Sequence, residues 1–182
     1  MNSNTITHTV FALFVGSLLA SCAFTERVMP LTMSHSNVLS VLDTIDQIEI
    51  DAGELANEKT TSPNVRSFAS RLAREHTRST QERHLLAEKI DVEPKKPQLA
   101  SALEDTYGES KNLLQKKSGR DFDEAYIKDQ IMMHEQLIKL VENTEDSMDD
   151  PDLRQHLRYT RPTLLSHLSA ARAAERQLVA QR

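Results

Sequence analysis

Residues 49–79 read EIDAGELANEKTTSPNVRSFASRLAREHTRS, and the fold turns on how this stretch is divided. Its middle, TTSPN, places Ser62 directly before Pro63. A serine hydroxyl takes one of the orphan backbone N–H groups at a helix start, and proline suits the first helical position because its missing N–H would have had no intrahelical partner. The stretch is therefore the end of one helix, a tight turn, and the start of the next. Upstream, Val38, Leu42, Ile45, Glu49, Ala52 and Ala56 share a stripe with Val41, Ile48 and Leu55 beside it, which predicts a helix over 37–60. Downstream, Val65, Phe68, Ala69, Leu72, His76, Leu86 and Ile90 predict a second helix, 63–90. Arg66, Arg71, Arg74, Arg78 and Arg83 read as a solvated face interleaved with acids such as Glu75.

Further along, DVEPKKPQ breaks the pattern with two prolines, and a weaker helix over 98–117 follows, with Gly108 in its middle. Phe122, Tyr126, Ile127, Ile131, Met133, His134, Leu137, Ile138 and Val141 form the broad apolar face of a helix over 118–146. After the turn DSMDDPD, a last helix from 151 buries Leu153, Leu157, Leu164, His167, Leu168, Ala171 and Leu178. Pro162 lies within it, where it removes a backbone donor and crowds the carbonyl of Arg158, so a kink is expected there. Two short-turn hairpins joined by a long connection describe an all-α protein, a ferritin-like four-helix bundle with a helical crossover between helices two and three. The bundle domain is read as 37–180.

Composition agrees with this class. The 182 residues are 38% hydrophobic and 27% charged, with 4 Gly and no Trp. A net charge of −5 argues against nucleic acid as a partner. One cysteine, Cys22, excludes an internal disulfide framework.

Cys22 has a better explanation. The apolar run VFALFVGSLLA over 10–20 is about half of what a membrane-spanning helix needs, and it ends in small residues as a secretory leader does. Leu19, Ala20, Ser21 and Cys22 resemble a bacterial lipobox, in which the cysteine thiol receives the lipid, although the leader carries no Lys or Arg. The reading is a signal peptide over 1–21, then a lipidated cysteine and tether over 22–36 that includes Pro30 and His35. Ala23 in place of an aspartate points to the periplasmic face of the outer membrane, with a soluble periplasmic or secreted form as the alternative. The membrane is then a partner through the anchor alone.

The chemistry, if any, lies in the core. Glu49, His76, His134 and His167 fall on inner stripes, one per helix. If the first turn centres near Ser62, His76 is level with position 48, and if the second centres near Asp150, His134 is level with position 166. Glu49 and His167 are each one residue away, about 1.5 Å of rise. Three imidazoles and a carboxylate suit a mononuclear first-row transition metal, with Tyr126 and Asp129 as further candidates. Glu75 and Glu135 directly adjoin His76 and His134, turned about 100° away from them, so the Glu-x-x-His pattern of diiron bundles is missing. The alternative is a hydrogen-bonded core, with Glu49 holding one imidazolium and the other two rings pairing with each other or with water. His84 and His156 are read as nearer exposed faces, and His8 is in the leader.

Three segments carry a family resemblance: residues 49–79 quoted above, SGRDFDEAYIKDQIMMHEQLIKLVE over 118–142, and DLRQHLRYTRPTLLSHL over 152–168. They resemble the bacterial domain-of-unknown-function family 4142, predicted to be ferritin-like envelope proteins. The matching elements are Glu75 and His76; Phe122, Asp123 and Tyr126; His134 and Glu135; and Pro162, Thr163, Leu164 and His167. Phe122, Tyr126 and Pro162 are read as structural, and the resemblance adds weight to the three histidines. It implies no substrate, cofactor or protein partner. Sequence therefore points to a lipid-anchored helical-bundle protein with a non-enzymatic binding or envelope-stress role, or alternatively to a metal-binding or redox protein using Glu49, His76, His134 and His167. No phosphate loop, nucleophile elbow or paired-cysteine site argues for an enzyme. Oligomeric state is not legible.

Overall fold

The computed structural model of the protein describes residues 33–180. The leader, Cys22, Pro30 and the tether as far as residue 32 lie outside the described residues. Five helices follow one another: α1 (His35–Lys59), α2 (Pro63–Lys89), α3 (Gln98–Gln115), α4 (Gly119–Ser147) and α5 (Pro151–Ala180). Among the described residues there is no strand, so the class is all-α.

Local chemistry sets the ends. The Ser34 hydroxyl accepts the Asn37 N–H at 3.2 Å, which starts α1 at His35 rather than beyond it. The Ser62 hydroxyl accepts the Val65 N–H at 3.4 Å, with Pro63 as the first residue of α2. At the other end of α2 the Val92 N–H reaches back to the Ala87 carbonyl at 3.0 Å. The residue inside that closure is Asp91, with φ of 52°; Asp is among the few non-glycine residues that visit this left-handed region. The Asp150 carboxylate caps α5 through the Leu153 N–H at 2.8 Å, and α5 runs without a break through Pro162.

The long helices pair in order. Along α1 and α2 the contacts run in opposite directions: Asn57 meets Ser70, Asp46 meets His76, and Asp43 meets Arg83. The same holds for α4 and α5, where Glu142 meets Arg161 and Glu135 meets Arg172. Helix α1 also packs on α4, and α2 on α5, closing a helical bundle. Helix α3 lies across α1 and reaches α4. The Tyr107 hydroxyl and Lys111 both bind Asp51, and Ser110 donates to Asp129 at 3.0 Å.

Gly53 permits the close approach of α1 and α2. A Cβ at this position would lie 2.9 Å from the Ala69 carbonyl oxygen and 3.1 Å from the Ala73 Cβ. That closeness brings Asp46 and Glu49 of α1 against the middle of α2.

The apolar core falls into two clusters. One contains Leu39, Leu42, Ile45, Leu137, Val141, Leu153, Leu157 and Leu164. The other contains Ala52, Phe68, Leu72, Phe122, Tyr126, Ile127, Ala171 and Leu178. On α1, α2 and α4, a polar layer at Asp46, Glu49, His76 and His134 falls between them, and His167 joins it from α5.

Candidate metal centre

His76, His134 and His167 project into this layer from α2, α4 and α5, each at most 4% exposed. One nitrogen from each ring lies within 4.8 Å of the other two. The nearest pair, His134 Nε2 and His167 Nδ1, is 3.3 Å apart. Two nitrogens bound to one ion at about 2.0–2.1 Å in a tetrahedral arrangement are also about 3.3 Å apart. The third ring needs a shift on the order of an ångström to complete the set at those bond lengths.

The outer edge of every ring is already held. His76 Nδ1 bonds the Asp46 carboxylate at 2.7 Å, His134 Nδ1 bonds the Gln130 carbonyl at 2.9 Å, and His167 Nε2 bonds the Glu75 carboxylate at 2.6 Å. A carbonyl and a carboxylate can only accept, so the ring N–H of His134 points at Gln130 and that of His167 at Glu75. Their inner nitrogens then face each other lone pair to lone pair. Nor does either take up an extra proton near neutrality. Burial, with its neighbours His167 and His76, pushes the His134 imidazole down to about 3. Burial pushes His167 to about 4, against the pull of Glu75. His76 is different. Burial alone would lower it, but the Asp46 hydrogen bond and the charges of Glu49 and Asp46 outweigh burial and raise it. Its Nε2 has no partner among the described residues.

The outer ring is itself supported. Burial would raise the Asp46 carboxyl, but His76 and Arg83 hold it below the usual carboxylate range. Arg83 is 1% exposed and binds Asp43 at 2.7 Å as well as Asp46. This corrects its reading as part of a solvated face: Arg83 follows His76 by two turns on the inner side of α2. Glu75 is held by Arg71 at 2.8 Å, and despite partial burial Arg71 and His167 bring its carboxyl down to about 2. Arg71 also reaches Ser166 on α5 at 2.9 Å. Such second partners orient metal-binding imidazoles and fix which nitrogen is bare.

Glu49 shares the layer but does not join the trio. It approaches His134 Nδ1 at 3.9 Å, on the side already bonded to Gln130. Both its oxygens are buried without a hydrogen-bond partner among the described residues. Burial raises its carboxyl to about 7, although His76 and the nearby Gln130 amide favour the charged form. Because the adjacent His134 is neutral, Glu49 does not hold an imidazolium there, and the carboxylate bonded to His76 is that of Asp46. Tyr126 is fully buried, stacked on Phe122 with ring centroids 5.9 Å apart, and its hydroxyl has no partner among the described residues. Asp129 is bound by Ser110 of α3, and burial raises its carboxyl.

Asp46, Glu75 and Arg83 thus support the site without having been singled out for it by sequence. The signal was present for two of them. Asp46 follows Leu42 by four residues and precedes Glu49 by three, and Arg83 follows His76 by seven, so both fall on inner stripes. Glu75 does turn away from His76, and by doing so it meets His167 on the neighbouring helix.

The family model described as "Domain of unknown function (DUF4142)" matches residues 22–174, and the chain belongs to that family. No curated protein and no solved structure matches it.

Proposed function

We propose that this member of the DUF4142 family is a non-enzymatic metal-binding protein of the cell envelope. In this reading a ferritin-like bundle holds one divalent first-row ion through His76, His134 and His167. The observation that carries the reading is the contact of His134 Nε2 and His167 Nδ1 at 3.3 Å, with both ring protons committed outward. Two facing lone pairs in a buried layer repel, and a cation between them turns that repulsion into coordination. Neutral nitrogen donors favour Zn²⁺ or Cu²⁺ over harder ions. Three ligands leave one coordination position for water or a small ligand. Glu49 lies beside this set as a group whose charge responds to it, and the carboxylates of Asp46 and Glu75 set the basicity of two of the rings.

Attachment to the membrane through a lipid on Cys22 belongs to the same proposal. Its support is the lipobox sequence, and the family match begins at that residue. Mass spectrometry of the protein from its native envelope tests it: a diacylglyceryl adduct on an N-terminal Cys22 is expected, and an unmodified N-terminus elsewhere refutes it.

The metal reading is tested by chelator treatment of the purified protein, followed by titration with Zn²⁺ and Co²⁺. One ion per chain is expected, and His134→Ala with His167→Ala should abolish uptake. No stoichiometric binding, or binding that survives the double substitution, refutes the site.

A further inference from the structure

A cleft opens between α2 and α5 with about 80 Å³ of water-reachable space. Its lining includes His76 and His167, two of the three histidines of the site. Short hydroxyl side chains line the walls: Ser79 from α2, and Thr160 and Thr163 from α5. His156 also lines the cleft, three turns before His167 on the same helix, about 16 Å along its axis, and it is less buried than the trio.

His156 is half-buried, yet its Nε2 is fully enclosed and has no partner among the described residues. Burial, with the neighbouring Arg83 charge, lowers its pKa, so the ring is neutral with a bare lone pair near neutrality. The charges facing this ring come from Arg83 and Glu82 on α2 and from Asp43 and Asp46 on α1. Arg83 is bound on both sides by Asp43 and Asp46, and among the charged side chains lining the cleft the carboxylates of Asp46, Glu75 and Glu82 outnumber Arg78 and Arg83 by one. Above and below the histidine trio the two apolar clusters close the core.

We infer that this cleft is the path by which a metal ion reaches the buried trio, and that His156 is its first protein ligand on the way in. The inference rests on the metal reading proposed above. A cation entering an acidic cleft is concentrated there, and a neutral imidazole can hold it while water is shed. The hydroxyls of Ser79, Thr160 and Thr163 then offer weak oxygen contacts along the route. His156 is thus a ligand of transit, outside the resting site.

Stopped-flow mixing of the purified, chelator-treated protein with Co²⁺ tests this, because visible absorption reports cobalt reaching nitrogen ligands. His156→Phe keeps a ring of similar size and removes the lone pair. It should slow loading by about tenfold and leave the equilibrium affinity unchanged. Thr163→Trp should slow loading by filling the cleft; if that variant does not fold, His156→Phe alone carries the test. Wild-type loading rates in His156→Phe overturn the inference while leaving the trio intact as a site. So does a loss of affinity in step with the rate, which would make His156 part of the resting site. Failure of the unsubstituted protein to take up Co²⁺ overturns the metal reading and this inference together.

Discussion

Replacing Arg83 by methionine separates a buried structural arginine from a solvated one. The guanidinium is 1% exposed and contacts Asp43 at 2.7 Å, Asp46, and the Ser79 hydroxyl at 3.4 Å. Methionine keeps an unbranched apolar stem like that of arginine and removes every donor. Breaking a buried ion pair from one side costs about 3–5 kcal/mol, because the other charge stays buried. The lower end applies here. Asp46 retains His76, and the Asp43 side chain is 26% exposed, so water screens part of that contact. A loss of about 3 kcal/mol lowers the melting temperature by about 6–12 °C in a domain of this size. The sign against pH is also fixed. The Asp46 carboxyl is held below its ordinary value, so its contribution is present above about pH 4 and is lost as pH falls through the folded-state value. In Arg83→Met that depression is smaller, so wild type and variant should converge in acid. Urea denaturation of the metal-free protein, followed by circular dichroism at pH 7 and again in acid well below pH 4, measures both quantities. Arg78→Met is the control, since Arg78 and its partner Glu82 are both well exposed. A loss at pH 7 no larger than the control, within about 0.5 kcal/mol, would falsify the assignment of Arg83 to the core.

Glu49→Gln should stabilise the metal-free protein at neutral pH. The folded carboxyl titrates near 7 and the unfolded one near 4.5, so wild type loses stability as pH rises between these values, by at most about 3 kcal/mol; equal melting differences at pH 4.5 and 8 would contradict this. Gly53→Ala should destabilise despite the better helix propensity of alanine, because the new methyl meets the Ala69 carbonyl at 2.9 Å. The expected loss is about 1–3 kcal/mol, and a more stable variant by thermal melt would show that the two helices separate freely. Excess Zn²⁺ should raise the melting temperature, since an ion held by His76 on one side and His134 and His167 on the other ties the two hairpins together. At a hundredfold excess over the dissociation constant the gain is about 2.7 kcal/mol, and a shift that persists in His134→Ala would place the binding elsewhere.

The helices were largely legible because their ends carry local chemistry. Ser62 with Pro63 is a start signal that needs no tertiary knowledge, and the helical stripes told inside from outside for nearly every apolar residue. The three histidines were legible for a further reason. A short turn makes heights on paired helices comparable, so residues on different helices could be placed in one layer. What sequence did not yield was the charge ring behind them. Asp46 and Arg83 both sit on inner stripes, but a lone buried acid or arginine is costly, and a single-helix pattern assigns such residues to solvent. Only the pairing of α1 with α2 shows that each neutralises the other. Glu75 escaped for a similar reason: its direction on α2 was read correctly, but the helix it meets was not. The place of Glu49, beside the trio and outside it, depends on side-chain rotation that helical spacing does not record.

The division of the core into two apolar clusters by a polar layer also governs alignment. Leucine and valine pack against one another almost equally well after a slide of one helical turn, about 5.4 Å, so an unbroken apolar seam has several near-equivalent settings. Here such a slide of the α1–α2 hairpin along α4 and α5 would carry Asp46, Glu49 and His76 into a wall of leucines and strip Glu75 from His167. Asp46 would keep His76 and Arg83, which move with it, but the Glu75–His167 bond between the hairpins would be lost and the polar groups of each hairpin would face apolar walls on the other, which is costly without partners. The layer acts as a detent: whatever it binds, it leaves the two hairpins one position at which they can come to rest.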